Sequence, residues 1–375
     1  MKIFAFHLLN DYSGSPKVLM QSINAWVKEG YEVTVVTCKG RNGFLSEIPG
    51  VTYKYFWYKL AANRFQRLLH FTWSQLLLIA KLLFVVKKED VIYINTVLPF
   101  GAAFLGIIKR CRVIYHIHET SMKPLLLKKF LFGMVGLASE EVIYVSNFLA
   151  QQEKFNGKSI VILHNAIEND FLKIASAQQK EPATFQNVLM VCSLKGYKGV
   201  NEFVELSRLH QQYQFRLVVN ATKGEIEAFF KPSLLPENLE IFSTQTKLHP
   251  FYSWADIVLN LSRPDEWIET FGLTVIEAMA YGLPVIVPPI GGVTELVEEG
   301  KNGFFANSRN IEDLSKKLIA ILENRKLYTQ MRGNSLQKIH DFSEGVFARK
   351  SVEIIENRSM KPLMITNKLK LQSND

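Results

Sequence analysis

Along most of the chain, short apolar runs alternate with longer stretches of mixed polarity. In the first half the runs are Ile3–Leu8, Val33–Thr37, Val91–Asn95, Val113–His118, Val142–Ser146 and Ile160–Leu163, with helical-length segments such as Pro16–Glu29 and Pro99–Lys109 between several of them. Continuous apolar runs fit strands buried on both faces, the condition of a parallel sheet covered by helices. The rhythm pauses over Ile167–Gln186, where Ala175-Ser176-Ala177-Gln178-Gln179-Lys180-Glu181-Pro182 is polar and weakly patterned and predicts an interdomain linker. It then restarts. Val188–Val191, Phe215–Val219, Ile257–Leu261 and Val285–Val287 read as strands; Gly199–His210, Gly272–Tyr281 and Ile311–Asn324 read as helices. The expectation is an α/β protein of two doubly wound, Rossmann-like domains facing across a cleft, at 1–170 and 185–340. The amphipathic stretch within 341–358 is expected to pack back on the first domain, and the polar, basic tail 359–375 to fray. In such sheets ligands bind beyond the carboxyl ends of the strands. No repeat of solenoid period is present.

A length of 375 residues exceeds one ordinary core and agrees with two domains. The formal net charge of +9 fits a partner of opposite sign (nucleic acid, an anionic membrane or a phosphorylated substrate), or a solvated basic surface. Cys38, Cys111 and Cys192 are scattered, with no CxxC pair and no Cys/His cluster, which disfavours a zinc site or a disulfide framework and fits a reducing cytosol. The first residues read as a strand rather than a signal peptide, and the most apolar stretch, Leu76–Val86, is too short to span a bilayer and contains Lys81. A cytoplasmic location is therefore expected.

The densest chemistry lies in Glu269-Thr270-Phe271-Gly272-Leu273-Thr274-Val275-Ile276-Glu277-Ala278-Met279-Ala280-Tyr281-Gly282-Leu283-Pro284-Val285-Ile286. It reads as loop, helix, tight turn and strand. Gly272 and Thr274 fall at the helix start, where free amides and the helix dipole favour an anion. Glu269 precedes that start and Glu277 lies about two turns in. A diphosphate on the amides would send its sugar to one side and its ribose to the other, and carboxylates accept hydrogen bonds from paired hydroxyls. The same residues also fit a helix with one capping and one solvated glutamate.

Glu-x7-Glu followed by Ala-Met-Ala-x-Gly-x-Pro-Val-Ile resembles the signature of retaining glycosyltransferase family 4, and Gly291-Gly292-Val293-Thr294-Glu295-Leu296-Val297 with Asn302-Gly303 continues the likeness. The resemblance implies the GT-B architecture and transfer with retention at the anomeric carbon. It implies that Glu269 meets the donor sugar and its developing positive charge, that Glu277 binds the ribose, and that amides near Phe271, Gly272 and Leu273 meet the sugar and diphosphate. Val191-Cys192-Ser193-Leu194-Lys195-Gly196-Tyr197-Lys198-Gly199 resembles the family's Gly-Arg-Leu…Lys-Gly step, with Ser193 where arginine is common and Lys195 as a candidate replacement charge. Lys198 would then stabilise the departing diphosphate, as a lysine and a helix start can do without a metal; no Asp-x-Asp motif occurs. Asn10-Asp11-Tyr12-Ser13-Gly14-Ser15-Pro16 resembles the family's glycine-rich loop but keeps one glycine, Gly14, and also fits a plain strand-to-helix turn. In His116-Ile117-His118-Glu119 the resemblance favours His118 beside the transferred sugar, against the alternative of a satisfied core histidine. Val145-Ser146-Asn147 and Leu163-His164-Asn165-Ala166-Ile167 resemble two further landmarks, expected to be scaffold first and cleft lining second.

Basic and aromatic residues interleave from Lys54 to Lys88, and again in Lys123, Lys128, Lys129, Phe130 and Phe132. Such segments lie on anionic bilayers, although the same aromatics fit a core. The charges follow no nucleic-acid recognition element. The expected activity is a metal-independent hexosyl transfer from a UDP or GDP type sugar, without a cofactor, to a lipid-linked or oligosaccharide acceptor. It is expected at the inner face of a membrane, in O-antigen or capsule type polysaccharide assembly. Two rivals stand beside it: a nucleotide-sugar epimerase and a non-catalytic scaffold that binds nucleotide or lipid.

Overall fold

The computed structural model describes residues 1–120, 122–179, 185–230 and 235–356. The first lobe runs β1 (Lys2–Phe6), α1 (Gly14–Lys28), β2 (Glu32–Cys38), β3 (Val51–Phe56), α2 (Arg64–Leu82), β4 (Val91–Asn95), α3 (Phe100–Lys109), β5 (Arg112–Ile117), α4 (Leu125–Ala138), β6 (Glu141–Tyr144), α5 (Asn147–Gln152) and β7 (Ser159–Ile162). After α6 (Asn169–Ala177) the second lobe runs β8 (Asn187–Ser193), α7 (Val200–Leu209), β9 (Gln214–Asn220), α8 (Lys223–Phe229), β10 (Leu239–Phe242), α9 (His249–Trp254), β11 (Ile257–Leu259), α10 (Leu273–Ala280), β12 (Val285–Val287), β13 (Gly303–Phe305), α11 (Ile311–Leu322) and α12 (Arg325–Lys338). A last helix, α13, spans Glu344–Ile355.

Both sheets are wholly parallel, in the orders β3-β2-β1-β4-β5-β6-β7 and β10-β9-β8-β11-β12-β13. Strand order reverses between β1 and β4 in one sheet and between β8 and β11 in the other. These are the switch points at which α/β sheets leave a crevice for ligands. The central strands β1 and β4 carry Ile3, Phe6, Ile92 and Ile94 with no exposed surface, which is why their sequence does not alternate.

The lobes are tied together. Ile167 pairs with Ser343, and its amide donates to the Phe342 carbonyl at 2.9 Å. Helix α13 lies against α1, where Trp26 Nε1 donates to the Ser351 carbonyl at 3.2 Å. Arg112 adds a bond to the Ile355 carbonyl at 2.7 Å.

The predicted linker differs in one respect. Residues 169–177 form α6, because Phe171 and Leu172 pack on the core and Ala175 is fully buried. Residues 180–184 of that linker and the tail 359–375 lie outside the described residues. The interleaved aromatic segment also divides. Phe56, Phe71 and Phe132 belong to the core, whereas Phe65, Trp73, Phe84, Leu125, Leu126 and Phe130 are exposed on and beside α2 and α4. Among the described residues no helix is long and apolar enough to cross a membrane.

Candidate active site

Beyond β8 the chain makes a single 3-10 turn, Gly196–Lys198, and enters α7. Gly199 forms the junction at φ 79°, and a Cβ there would stand 2.2 Å from the Leu261 carbonyl oxygen, so glycine is required. The junction carries Lys198 to the loop after β11. Its Nζ lies 2.6 Å from Glu269 Oε2 and 5.4 Å from the Trp267 ring centroid. Ser262 Oγ donates to the same carboxylate oxygen at 3.2 Å. Burial pushes the Glu269 carboxyl up, but the Lys198 charge and hydrogen bonds from Lys198, Ser262 and Asn260 outweigh it. The carboxyl is held below its ordinary value and stays anionic.

Three residues on, Gly272 opens α10 at φ 117°, a backbone conformation that suits glycine. First-turn amides, here those of Leu273 and Thr274, have no intrahelical acceptor and face outward along the axis. Phe271 is buried, with His164 5.9 Å and Phe342 5.8 Å from its ring. Its side chain is interlobe scaffold, and its backbone is what a ligand could meet. Glu277 is buried one face along the same helix. Tyr252 donates to its Oε2 at 2.7 Å, and Lys17 Nζ stands 3.6 Å from its Oε1.

Lys17 belongs to the other lobe, in the first turn of α1, and also lies 3.7 Å from Glu168. Gly14 opens that helix, and a Cβ on it would meet Leu273 Cδ1 at 3.1 Å. The Gly14 turn and the start of α10 therefore face each other directly across the cleft.

His118 stands just past β5. Its Nε2 is 2.8 Å from Asn95 Oδ1, its amide donates to Glu119 Oε2 at 3.1 Å, and its ring lies 4.3 Å from that of His116. That closeness agrees with the two histidines pointing to one face. Burial, reinforced by neighbouring His116 and His7, holds the His118 imidazole well below its usual range. Burial alone takes His116 to about 3. It also raises Glu119 to about 7, against amides of Val97 and His118 that favour the anion.

Of the residues singled out from sequence, Lys198, Glu269, Gly272, Leu273, Thr274, Glu277 and Gly14 come together around one cleft, and His118 joins them through Asn95. Ser193 ends β8 at the same switch point. Lys195 lies apart from Lys198. It is exposed, and the carboxylate its charge influences is Glu225 at the start of α8. The cation beside Glu269 is Lys198, at the end of the 3-10 turn that Lys195 precedes. Pattern reading missed Lys17, Asn95, Tyr252 and Ser262. Lys17 directly follows Gly14-Ser15-Pro16 and was the most findable. The landmarks Ser146–Asn147 and His164 prove to be interlobe contacts. Glu295 accepts from the amides of Asn147 and Phe148 at 3.1 and 2.7 Å and from His164 Nε2 at 3.0 Å, and Ser146 Oγ donates to the Thr270 carbonyl at 2.8 Å. Among the described residues no group of three or more His, Cys, Asp or Glu side chains is arranged to hold a metal ion.

Two family models match the chain in tandem: Glycosyltransferase Family 4 over residues 12–171 and Glycosyl transferases group 1 over residues 173–338. The chain belongs to this family of glycosyltransferases, and its two lobes are those of the GT-B fold. An uncharacterized glycosyltransferase of Haemophilus influenzae is 24% identical, over 91% of this chain and 96% of that one. The N,N'-diacetylbacillosaminyl-diphospho-undecaprenol alpha-1,3-N-acetylgalactosaminyltransferase of Campylobacter jejuni is 28% identical over 45% of this chain and 44% of its own. The crystal structure of Anabaena HepE in complex with UDP and glucose superposes with a TM-score of 0.77 and 20% identity, covering 95% of this chain and 99% of that one.

Proposed function

We propose that the protein moves a hexosyl unit from a UDP or GDP type sugar to a lipid-linked or saccharide acceptor, with retention of configuration and without a metal. The observation that carries this reading is the array of Lys198, Glu269, the open first turn of α10 and Glu277, faced across the cleft by Gly14 and Lys17. A diphosphate on the α10 amides would meet Lys198 on one flank, and Lys17 reaches the same cleft from the other lobe. These charges act where negative charge develops as the glycosidic bond breaks. Glu269, kept anionic beside Lys198, faces the positive charge developing on the sugar. Glu277 accepts from the ribose hydroxyls, displacing Lys17 toward the phosphates. Closure of the lobes excludes water and favours transfer over hydrolysis.

The names of the relatives support the same reading. One is called a transferase acting on a diphospho-undecaprenol, and HepE was crystallised with UDP and glucose. The exposed Phe65, Trp73, Phe84, Leu125 and Leu126, set among Lys59, Arg64, Arg67, Lys87, Lys88, Lys123 and Lys129, support docking on the anionic inner face of a membrane. Such a location suits assembly of an O-antigen or capsule type polysaccharide. Ser193 at the family's arginine position favours the second reading, a non-catalytic binder.

The test is a panel of UDP and GDP sugars with a polyprenyl-diphosphate saccharide, products being followed by mass spectrometry. The account expects acceptor-dependent transfer that Glu269→Ala abolishes while nucleotide binding persists. Binding without transfer would establish the scaffold, and acceptor-independent change of the donor sugar the epimerase.

A further inference from the structure

Three polar groups from separate elements converge on Asn95, the last residue of β4 at the switch point of the first sheet. Its Nδ2 lies 3.0 Å from the Ser15 carbonyl oxygen and 3.0 Å from His7 Nδ1, and its Oδ1 lies 2.8 Å from His118 Nε2. Asn95 has no exposed surface. Chemistry then assigns both ends of the Asn95 amide and the proton on His118. A carbonyl oxygen only accepts, so the Asn95 end facing Ser15 is the NH2 group, and the end facing His118 is the oxygen. An amide oxygen only accepts, so His118 Nε2 carries a proton. His7 Nδ1 also lies 3.2 Å from the Asn95 carbonyl oxygen, so it either accepts the second amide hydrogen or donates to that carbonyl, according to its own tautomer.

We propose that Asn95 is a positioning residue that pins the Gly14 turn through Ser15 and locks His118 as its Nε2–H tautomer, so that the imidazole offers bare Nδ1 to a hydroxyl of the substrate. That a substrate hydroxyl is the partner rests on the proposed glycosyl transfer; the tautomer and the pinned turn rest on geometry. Among the described residues no hydrogen bond is made to Nδ1 of His118, and the residue is half-buried rather than fully enclosed. The groups facing the ring are His116, His7 and the Glu119 carboxyl. Burial opposes a second proton, and the first two oppose it further, so the ring stays neutral. A neutral Nε2–H imidazole accepts at Nδ1; an imidazolium would only donate. His118 is thus a hydrogen-bond acceptor for a sugar hydroxyl, fixed in that state by a residue that itself touches no substrate. The same side chain couples the two cleft elements of the first lobe, since a shift of the Gly14 turn moves the imidazole with it.

Long-range 15N–1H correlation spectra of protein labelled on its histidine ring nitrogens read the tautomer directly, with His118 assigned by the signal lost in His118→Gln. The expected wild-type spectrum at neutral pH has protonated Nε2 and bare Nδ1. Asn95→Asp keeps the shape but sets a carboxylate against Nε2, and should raise the pH at which His118 gains its second proton by about one unit or more. A protonated Nδ1 with bare Nε2 in the wild type, or an unmoved His118 titration in folded Asn95→Asp, overturns the proposal. A Gly14–Leu273 amide pattern that stays unchanged in Asn95→Asp overturns the coupling of the turn. None of these spectra needs turnover, so their failure is distinct from failure of the glycosyl-transfer reading. If transfer is established, Asn95→Asp should also displace the acidic limb of the kcat profile, which a general loss of packing would not do.

Discussion

Among single residues, the mostly enclosed ion pair of Lys198 and Glu269 is central. Lys198 and Glu269 neutralise each other at 2.6 Å, and in the proposed reaction each would serve one end of the breaking bond. Removing one partner leaves the other charge enclosed and unpaired, which costs about 3–5 kcal/mol. Lys198→Met should therefore lower Tm clearly, while Lys198→Met/Glu269→Leu recovers most of the loss, as a denaturation series would record. Stability and activity should part company there. Either single change is expected to lower kcat by about 10²–10³ or more, and the stable double variant should remain inactive. If the double variant is no more stable than Lys198→Met, the two side chains are not coupled as drawn.

At the scale of elements, the critical contacts are turns and helix starts. Glu295 caps α5 from the opposite lobe by accepting the amides of Asn147 and Phe148. Burial raises its carboxyl, but the His164 bond and these amides outweigh that and hold it below its ordinary value. Glu295→Ala should uncap α5, costing about 1–2 kcal/mol, and loosen the lobes. Small-angle scattering should then report a larger radius of gyration, and an unchanged one would show that the ring cluster of His164, Phe271 and Phe342 holds the lobes by itself.

The elements differ in how much of them could be read in advance. Strands buried on both faces, such as Val91–Asn95 and Val285–Val287, are legible because burial demands continuous apolar runs. The short β10 and β13 are not: Glu240 is exposed, and Gly303 closes against the Val285 carbonyl for reasons only the sheet reveals. α6 was hidden in a polar stretch because two aromatic and aliphatic side chains suffice to dock a short helix. In the site, Glu269, Glu277 and Lys198 are legible because they fall at fixed steps around a helix start. Lys17, Asn95 and Tyr252 act across lobes or strands, and no local spacing records such contacts.

For the molecule as a whole, buried histidines set the response to acid. Burial lowers His7 to about 4 and His116 to about 3, whereas the unfolded chain takes these protons near 6.5. Between those values the unfolded state binds more protons, so stability rises with pH and is lost as pH falls from about 6.5 toward 4. His7 alone contributes about 3 kcal/mol. Glu119, raised to about 7, acts in the opposite sense between its unfolded value and 7, and partly offsets the histidines. Calorimetry should find Tm falling over that acid range, with a shallower fall in His7→Asn; an unaltered slope would mean that His7 is protonated in the fold. The basic, aromatic face of α2 and α4 predicts sedimentation with anionic vesicles at low salt, weakened as salt rises and reduced in Phe65→Ser/Trp73→Ser.

The most direct measurement is calorimetric titration of wild-type, Glu277→Ala and Lys198→Ala protein with UDP and GDP. One nucleotide should bind the wild type at a single site, with an affinity at least about tenfold weaker in each variant, as loss of a charge-assisted hydrogen bond requires. Equal affinity in all three proteins would contradict a nucleotide diphosphate seated on α10 between these two side chains.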